Sequence, residues 1–148
     1  MVAIRAIIAR DRDVLNRIQT VWESSVRATH TFLTEADIVA MRPEVWQGAE
    51  QIDQLYGFFD DGDTLQGIIG VQGKKIEMLF VDAAARGQGI GGKLLRFATG
   101  TLGANAVDVN DQNGQGAAFY AHMGFEVAGR SALDEQGRPF PILHLEMR

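Results

Sequence analysis

The chain has 148 residues, 46% hydrophobic and 22% charged, with a net charge of −5 and no cysteine. That length predicts one domain over residues 1–148 with one core; the missing cysteine excludes disulfides, a thiolate nucleophile and Cys-ligated metal. The acidic balance argues against nucleic-acid binding, no apolar run approaches the ~20 residues of a membrane span, and the N-terminus lacks a small-residue cleavage pattern, which together fit a cytoplasmic protein.

Val2 to Ile8 reads as a strand, with Ile4, Ala6 and Ile8 on one side. Arg10-Asp11 opens a helix whose stripe is Val14, Leu15, Ile18, Val21, Trp22 and Val26. Thr34 and Asp37 resemble a capping box for a second helix, which Pro43 restarts or kinks and Val45, Trp46, Ala49 and Ile52 continue. Leu55 to Phe59 and Thr64 to Gln72 read as antiparallel strands around the turn Asp60-Asp61-Gly62-Asp63. Glycines 67 and 70 in the second of these point to bulges or close packing. The strand Lys74 to Val81 follows, with Ile76, Met78 and Phe80 alternating with Glu77 and Leu79. After a glycine-rich turn, Leu94, Leu95 and Ala98 mark a helix. Ala106 to Val109 is a short buried strand, Asn110 to Gly114 a polar loop, and Gln115 to Met123 a helix stopped by Gly124. Phe125 to Gly129 and Ile142 to Met147 read as the last strands. The order β-α-α-β-β-β-α-β-α-β-β predicts an α+β layered fold on a mixed, mostly antiparallel sheet.

The chemistry concentrates at Arg86-Gly87-Gln88-Gly89-Ile90-Gly91-Gly92. A strand, a glycine turn and a helix N-terminus together present backbone N–H groups and a partial positive charge, which suits a phosphate or pyrophosphate. Gly87, Gly89 and Gly92 also satisfy the G-x-G-x-x-G dinucleotide fingerprint. The meander of hairpins before the turn disfavours a Rossmann unit, and the lack of G-K-S/T disfavours a P-loop.

Residues 86–91, R-G-Q-G-I-G, match the Q/R-x-x-G-x-G/A signature of the GNAT superfamily of acyl-CoA N-acyltransferases, and the strand I-E-M-L-F-V-D precedes them as in that superfamily. Asn113, Phe119, Tyr120, Gly124 and Phe125 resemble its N-x-x-A-x-x-F-Y-x-x-x-G-F pattern. Gly116 stands where the pattern has alanine, a change expected to cost a little helix propensity and no chemistry. A-T-H-T-F-L at 28–33, V-N-D-Q-N at 109–113 and the run Gly129 to Pro141 resemble the bacterial YjaB-like subgroup.

The resemblance implies an α/β/α layered GNAT-like fold of seven strands and four helices. It implies transfer of an acetyl group from acetyl-CoA to an amine, on a small molecule or a peptide, with no metal. The pyrophosphate would rest on amides of Arg86, Gly87, Gln88, Gly89, Ile90, Gly91 and Gly92. The pantetheine arm would pair with the edge of Leu79, Phe80 and Val81 like an added strand, with an N–H near Phe80 at the thioester oxygen. Tyr120 would protonate the departing thiolate. Glu77 is the candidate base, or a solvated residue or ion-pair partner, since one residue of register reverses its facing. Asn110 and Asn113 would fix the pantetheine or cap turns. His30 is a second base, a substrate contact or a helix cap. Trp22 and Phe32, with Trp46 and Phe140, would line an acceptor pocket or the core. A CoA-binding regulatory module with little catalysis is the alternative.

Overall fold

A computed structural model of the chain describes residues 3–148. Its strands are β1 (Ala3–Ala6), β2 (Gln54–Phe59), β3 (Leu65–Gln72), β4 (Lys75–Val81), β5 (Ala106–Asn110), β6 (Phe125–Ser131) and β7 (Ile142–Met147). The helices are α1 (Arg12–Thr29), α2 (Glu35–Gln51), α3 (Ile90–Gly100) and α4 (Gly114–His122), with a single 3₁₀ turn at Ala83–Ala85. The strands form one sheet in the order β1-β2-β3-β4-β5-β7-β6. Every neighbouring pair is antiparallel except β4 and β5. The expected α+β fold, seven strands and four helices, is the observed one.

The two faces of the sheet carry separate cores, as helices on both sides require. One holds Leu15, Ile18, Val21, Ala49, Ile68 and Met78, under α1 and α2. The other holds Ile69, Ile76, Ile90, Leu94, Leu95, Val107, Tyr120 and Leu145, under α3 and α4. A Cβ at Gly67 would stand 3.0 Å from Ile90 Cγ2 and 3.2 Å from Leu94 Cδ1, so this glycine lets α3 lie directly on β3.

Local signals place several boundaries. Thr34 and Asp37 form the reciprocal capping box, at 3.1 and 2.9 Å. Pro43 lies inside α2 instead of restarting it. β1 stops at Ala6, which leaves Ile8 exposed rather than aligned with Ile4; Val2 lies outside the described residues. The even alternation expected along β4 is also broken. Met78 pairs with Gly70 and Ile76 with Val71, so Glu77 is the extra residue of a β-bulge. Ile76 therefore shares a core with Leu79 and Val81, while Met78 and Phe80 pack on the opposite face.

Candidate active site

The site begins as a fault in the sheet. Parallel strands β4 and β5 pair only at Lys75–Ala106 and Ile76–Val107. Beyond Ile76 they part, and β4 keeps its pairing with β3 alone as far as Val81. The Asp82 N–H donates to the Gln66 carbonyl on the β3 side at 2.8 Å. Backbone groups alternate sides along a strand, so the Phe80 amide also points to β3. Leu79 and Val81 turn theirs into the gap. Near Phe80, the amides that face the gap are thus those of its two neighbours. Phe80 contributes its side chain, packed against α1 and α2.

A cleft of about 350 Å³ fills the gap. Leu79, Phe80, Val81 and Glu77 line it from β4, Asp108 and Asn110 from β5, Ser25 and Thr29 from α1, His30 from the cap that ends α1, and Asn113, Phe119 and Tyr120 from the α4 side. Arg86 and Gly91 reach it from the glycine turn.

The turn has the backbone that its sequence demands. Gly87 and Gly89 have φ of 82° and 77°, where L side chains are strained. A Cβ on either would meet nothing within 4 Å, so backbone conformation and not crowding calls for glycine. Gly89 caps α3 and has no side chain to bond the helix amides. The first intrahelical bond is Lys93 N–H to Gly89 carbonyl, which leaves the Ile90, Gly91 and Gly92 amides without helical partners. With the helix dipole, that end suits an anion. The Ile90 side chain is buried in the core, so only its backbone is available. Gly87, Gln88, Gly89 and Gly92 do not line the cleft. Arg86 donates to Gln115 at 3.1 Å and joins the turn to α4.

Tyr120 is buried in the α4 face of the core, edge-on to Phe119 and Phe125. Burial raises its hydroxyl pKa above the ordinary tyrosine value. Glu77 lies on the bulge and borders two clefts. The second, of about 450 Å³, is lined by Glu44, Val45, Gly48, Gln51, Ile52, Gln72, Met78 and Phe80 on the α2 side. Burial raises the Glu77 pKa and outweighs Lys75, whose Nζ is 3.6 Å away and acts to lower it. Lys75 is held more tightly by Asp108, at 2.7 Å, and Asp108 also bonds His144 at 2.7 Å. Burial works to raise the Asp108 pKa, but the Lys75 and His144 hydrogen bonds prevail and lower it.

His30 is mostly buried between Thr29 and Asn113, and desolvation lowers its pKa. Phe32 does not line the cleft; its ring stacks between His30, at 5.5 Å, and Phe140, at 6.0 Å. Trp22 lies deep in a core cluster with Val26 and Ile38 and lines neither cleft. Sequence reading passed over Lys75 and gave Asp108 no part in this site. The one available signal was an acid between Val107 and Val109 in an otherwise buried strand. Among the described residues, no group of three or more His, Asp or Glu is placed to hold a metal.

A layered sheet that parts between its parallel strands, beside an uncapped helix, defines a GNAT-type acyltransferase architecture. The family described as acetyltransferase (GNAT) domain matches residues 46–127, and the chain belongs to it. It is similar to the peptidyl-lysine N-acetyltransferase YjaB of Salmonella typhimurium, 36% identical over 87% of this chain and 88% of that protein. YjaB of Escherichia coli strain K12 is 34% identical over 84% of each. The solution structure of apo YjaB from E. coli superposes with a TM-score of 0.88 at 29% identity, covering 99% of this chain and 97% of that one. The PaiA N-acetyltransferase of Thermoplasma acidophilum, solved in complex with coenzyme A, shares the fold, with a TM-score of 0.71 at 22% identity over 99% of both chains. By family and relatives the chain is an N-acetyltransferase.

Proposed function

We propose that the protein, acting as a single domain, transfers an acetyl group from acetyl-CoA directly to the side-chain amine of a lysine in a protein or peptide. The observation that carries this is the parting of β4 from β5 next to the uncapped N-terminus of α3. One edge offers the Leu79 and Val81 amides, and the adjoining helix end offers three more. A pyrophosphate and an amide-bearing arm need those two things side by side. The relatives' activity on peptidyl-lysine supports the acceptor. So does the second cleft, where Glu77 stands with apolar Val45, Ile52, Met78 and Phe80, the Glu44 carboxylate there being held by Arg138. An aliphatic chain ending in an ammonium group matches that pairing of surfaces.

Bound acetyl-CoA supplies a thioester carbonyl open to attack by an amine. Glu77, its pKa raised by burial, takes a proton from the incoming ammonium and passes it to solvent. One of the Leu79 and Val81 amides would donate to the developing oxyanion and the other to the arm, since residues two apart on a strand edge cannot share one oxygen. Tyr120, kept protonated by burial, gives its proton to the departing sulfur and is restored by the second proton of the amine nitrogen. Asn110 and Asn113 hold the walls of the cleft, and no metal takes part.

Mass spectrometry of lysine peptides incubated with acetyl-CoA tests the reading. A 42 Da gain on the lysine with release of free CoA is expected, about 10²-fold reduced in Glu77→Gln. The Glu77 carboxylate must be ionised to act, so kcat/KM falls as the pH drops through its raised pKa; Glu77→Gln removes the carboxylate's part of that limb. Acetyl-CoA binding without transfer to any amine would favour the CoA-binding module instead.

A further inference from the structure

The N-x-x-A pattern of the family is N-x-x-G in this chain, and the glycine has a structural reason. A Cβ at Gly116 would overlap Asn113 Nδ2, stand 3.0 Å from Asn113 Cγ and 3.1 Å from Val109 Cγ2. The exchange therefore bears on the Asn113 side chain as well as on helix propensity. Alanine would displace the Asn113 side chain from its present place. In that place Asn113 makes two bonds. Its Oδ1 accepts the Gly116 N–H at 3.0 Å, capping α4, and its Nδ2 reaches His30 Nε2 at 3.4 Å.

The direction of each bond follows from the Gly116 N–H, which can only donate and so turns Asn113 Nδ2 toward His30. Thr29 Oγ1 donates to the Ser25 carbonyl at 2.9 Å, so it accepts from His30 Nδ1–H at 2.7 Å. His30 Nε2 is then a bare lone pair that accepts from the Asn113 amide. We propose that His30 is a positioning residue for acetyl transfer: as a neutral imidazole it ties the end of α1 to the cap of α4, the helix that carries Tyr120, and residue 116 is glycine so that the tie can form. The tie crosses from one face of the sheet to the other where β4 and β5 part, and so fixes the helix bearing the thiolate donor against the wall of the cleft. Its effect on turnover rests on the acetyl-transfer reading above; its geometry does not.

The tie holds in one protonation state only. A protonated His30 presents N–H at Nε2 to the NH₂ of Asn113. Turning the amide over to offer its oxygen would set NH₂ against the Gly116 N–H. Either way one bond is lost, some tenfold in an equilibrium constant. Burial already favours the neutral form, and Phe32 closes one side of the ring. Glu77, Asp108, Arg86 and Tyr120 share the cleft with it and are the other titratable groups on its walls.

The test starts from the protein alone. Long-range proton–nitrogen correlation spectra report which imidazole nitrogen of His30 carries the proton. The wild type should show Nδ1 protonated and Nε2 bare, with titration below the ordinary histidine range. Gly116→Ala should lose that pattern while remaining folded. With acetyl-CoA and a lysine peptide, Gly116→Ala and His30→Leu should each lower kcat about tenfold, with KM for acetyl-CoA within about twofold. His30→Gln, whose Oε1 accepts from Asn113 at any pH, should recover most of the lost kcat and remove the histidine component of the acid limb. An unchanged His30 spectrum and kcat in Gly116→Ala would overturn the proposal, as would wild-type turnover by His30→Leu. A wild type with the expected spectrum and no turnover would overturn the acetyl-transfer reading while leaving the tie standing.

Discussion

Two strand-to-helix junctions flank the cleft, and they end in opposite ways. α3 starts from Gly89, which has positive φ and no side-chain cap. α4 starts from Asn113, buried, with its side chain bonded both to the helix and to His30. An open helix end keeps its amides for a partner that comes and goes. A capped end uses its amides to hold the protein together. The sheet places one of each on the same gap, so that the cofactor would meet free donors on one side and a fixed catalytic helix on the other. Glycine is needed in both junctions, for opposite reasons: Gly89 for a backbone angle with open space around it, Gly116 to make room for a side chain.

The comparison can be broken from either end. The largest effect is expected on the closed side, from the residue that the cap holds in place. Tyr120→Phe should lower kcat about a hundredfold or more, as loss of a general acid does. Its acetyl-CoA affinity should stay close to wild type by calorimetry; a variant that turned over normally would remove Tyr120 from the chemistry. Gly89→Asn attacks the open side. Asparagine tolerates left-handed backbone, so the fold should survive, but its side chain would occupy space beside the amides that are otherwise free. Acetyl-CoA should bind about tenfold more weakly, roughly the 1.4 kcal/mol of one charge-assisted contact. Asn113→Ala sharpens the contrast with the smallest change. Losing the cap should cost about 1 kcal/mol in urea unfolding, with acetyl-CoA affinity nearly unaltered. A comparable loss of stability in Gly89→Asn would contradict the division of roles.

The elements were legible because the chain states them locally. The capping box at Thr34, the stripe of α1 and the turn at Asp60–Asp63 each depend on neighbours in sequence. The glycine turn was legible for the same reason. What stayed hidden depends on partners far along the chain. The bulge at Glu77 exists only in the pairing of β4 with β3, and it decides which residues of β4 face which core. That same displacement bears on the question of facing that Glu77 left open, since Glu77 is among the residues lining both clefts. The role of Gly116 was invisible because its crowding comes from Asn113 reaching toward a histidine 83 positions away. Trp22 misled by type: the sequence reading offers it for the acceptor pocket although an aromatic on a helix stripe is more often core, and here it is core.

The central claim is that the open end of α3 and the parted edge of β4 together hold acetyl-CoA. Backbone amide NMR during titration with acetyl-CoA tests it most directly. The account predicts that Leu79, Val81 and the amides from Gly87 to Gly92 shift together with a single affinity. Saturation of binding with those amides unmoved would contradict it.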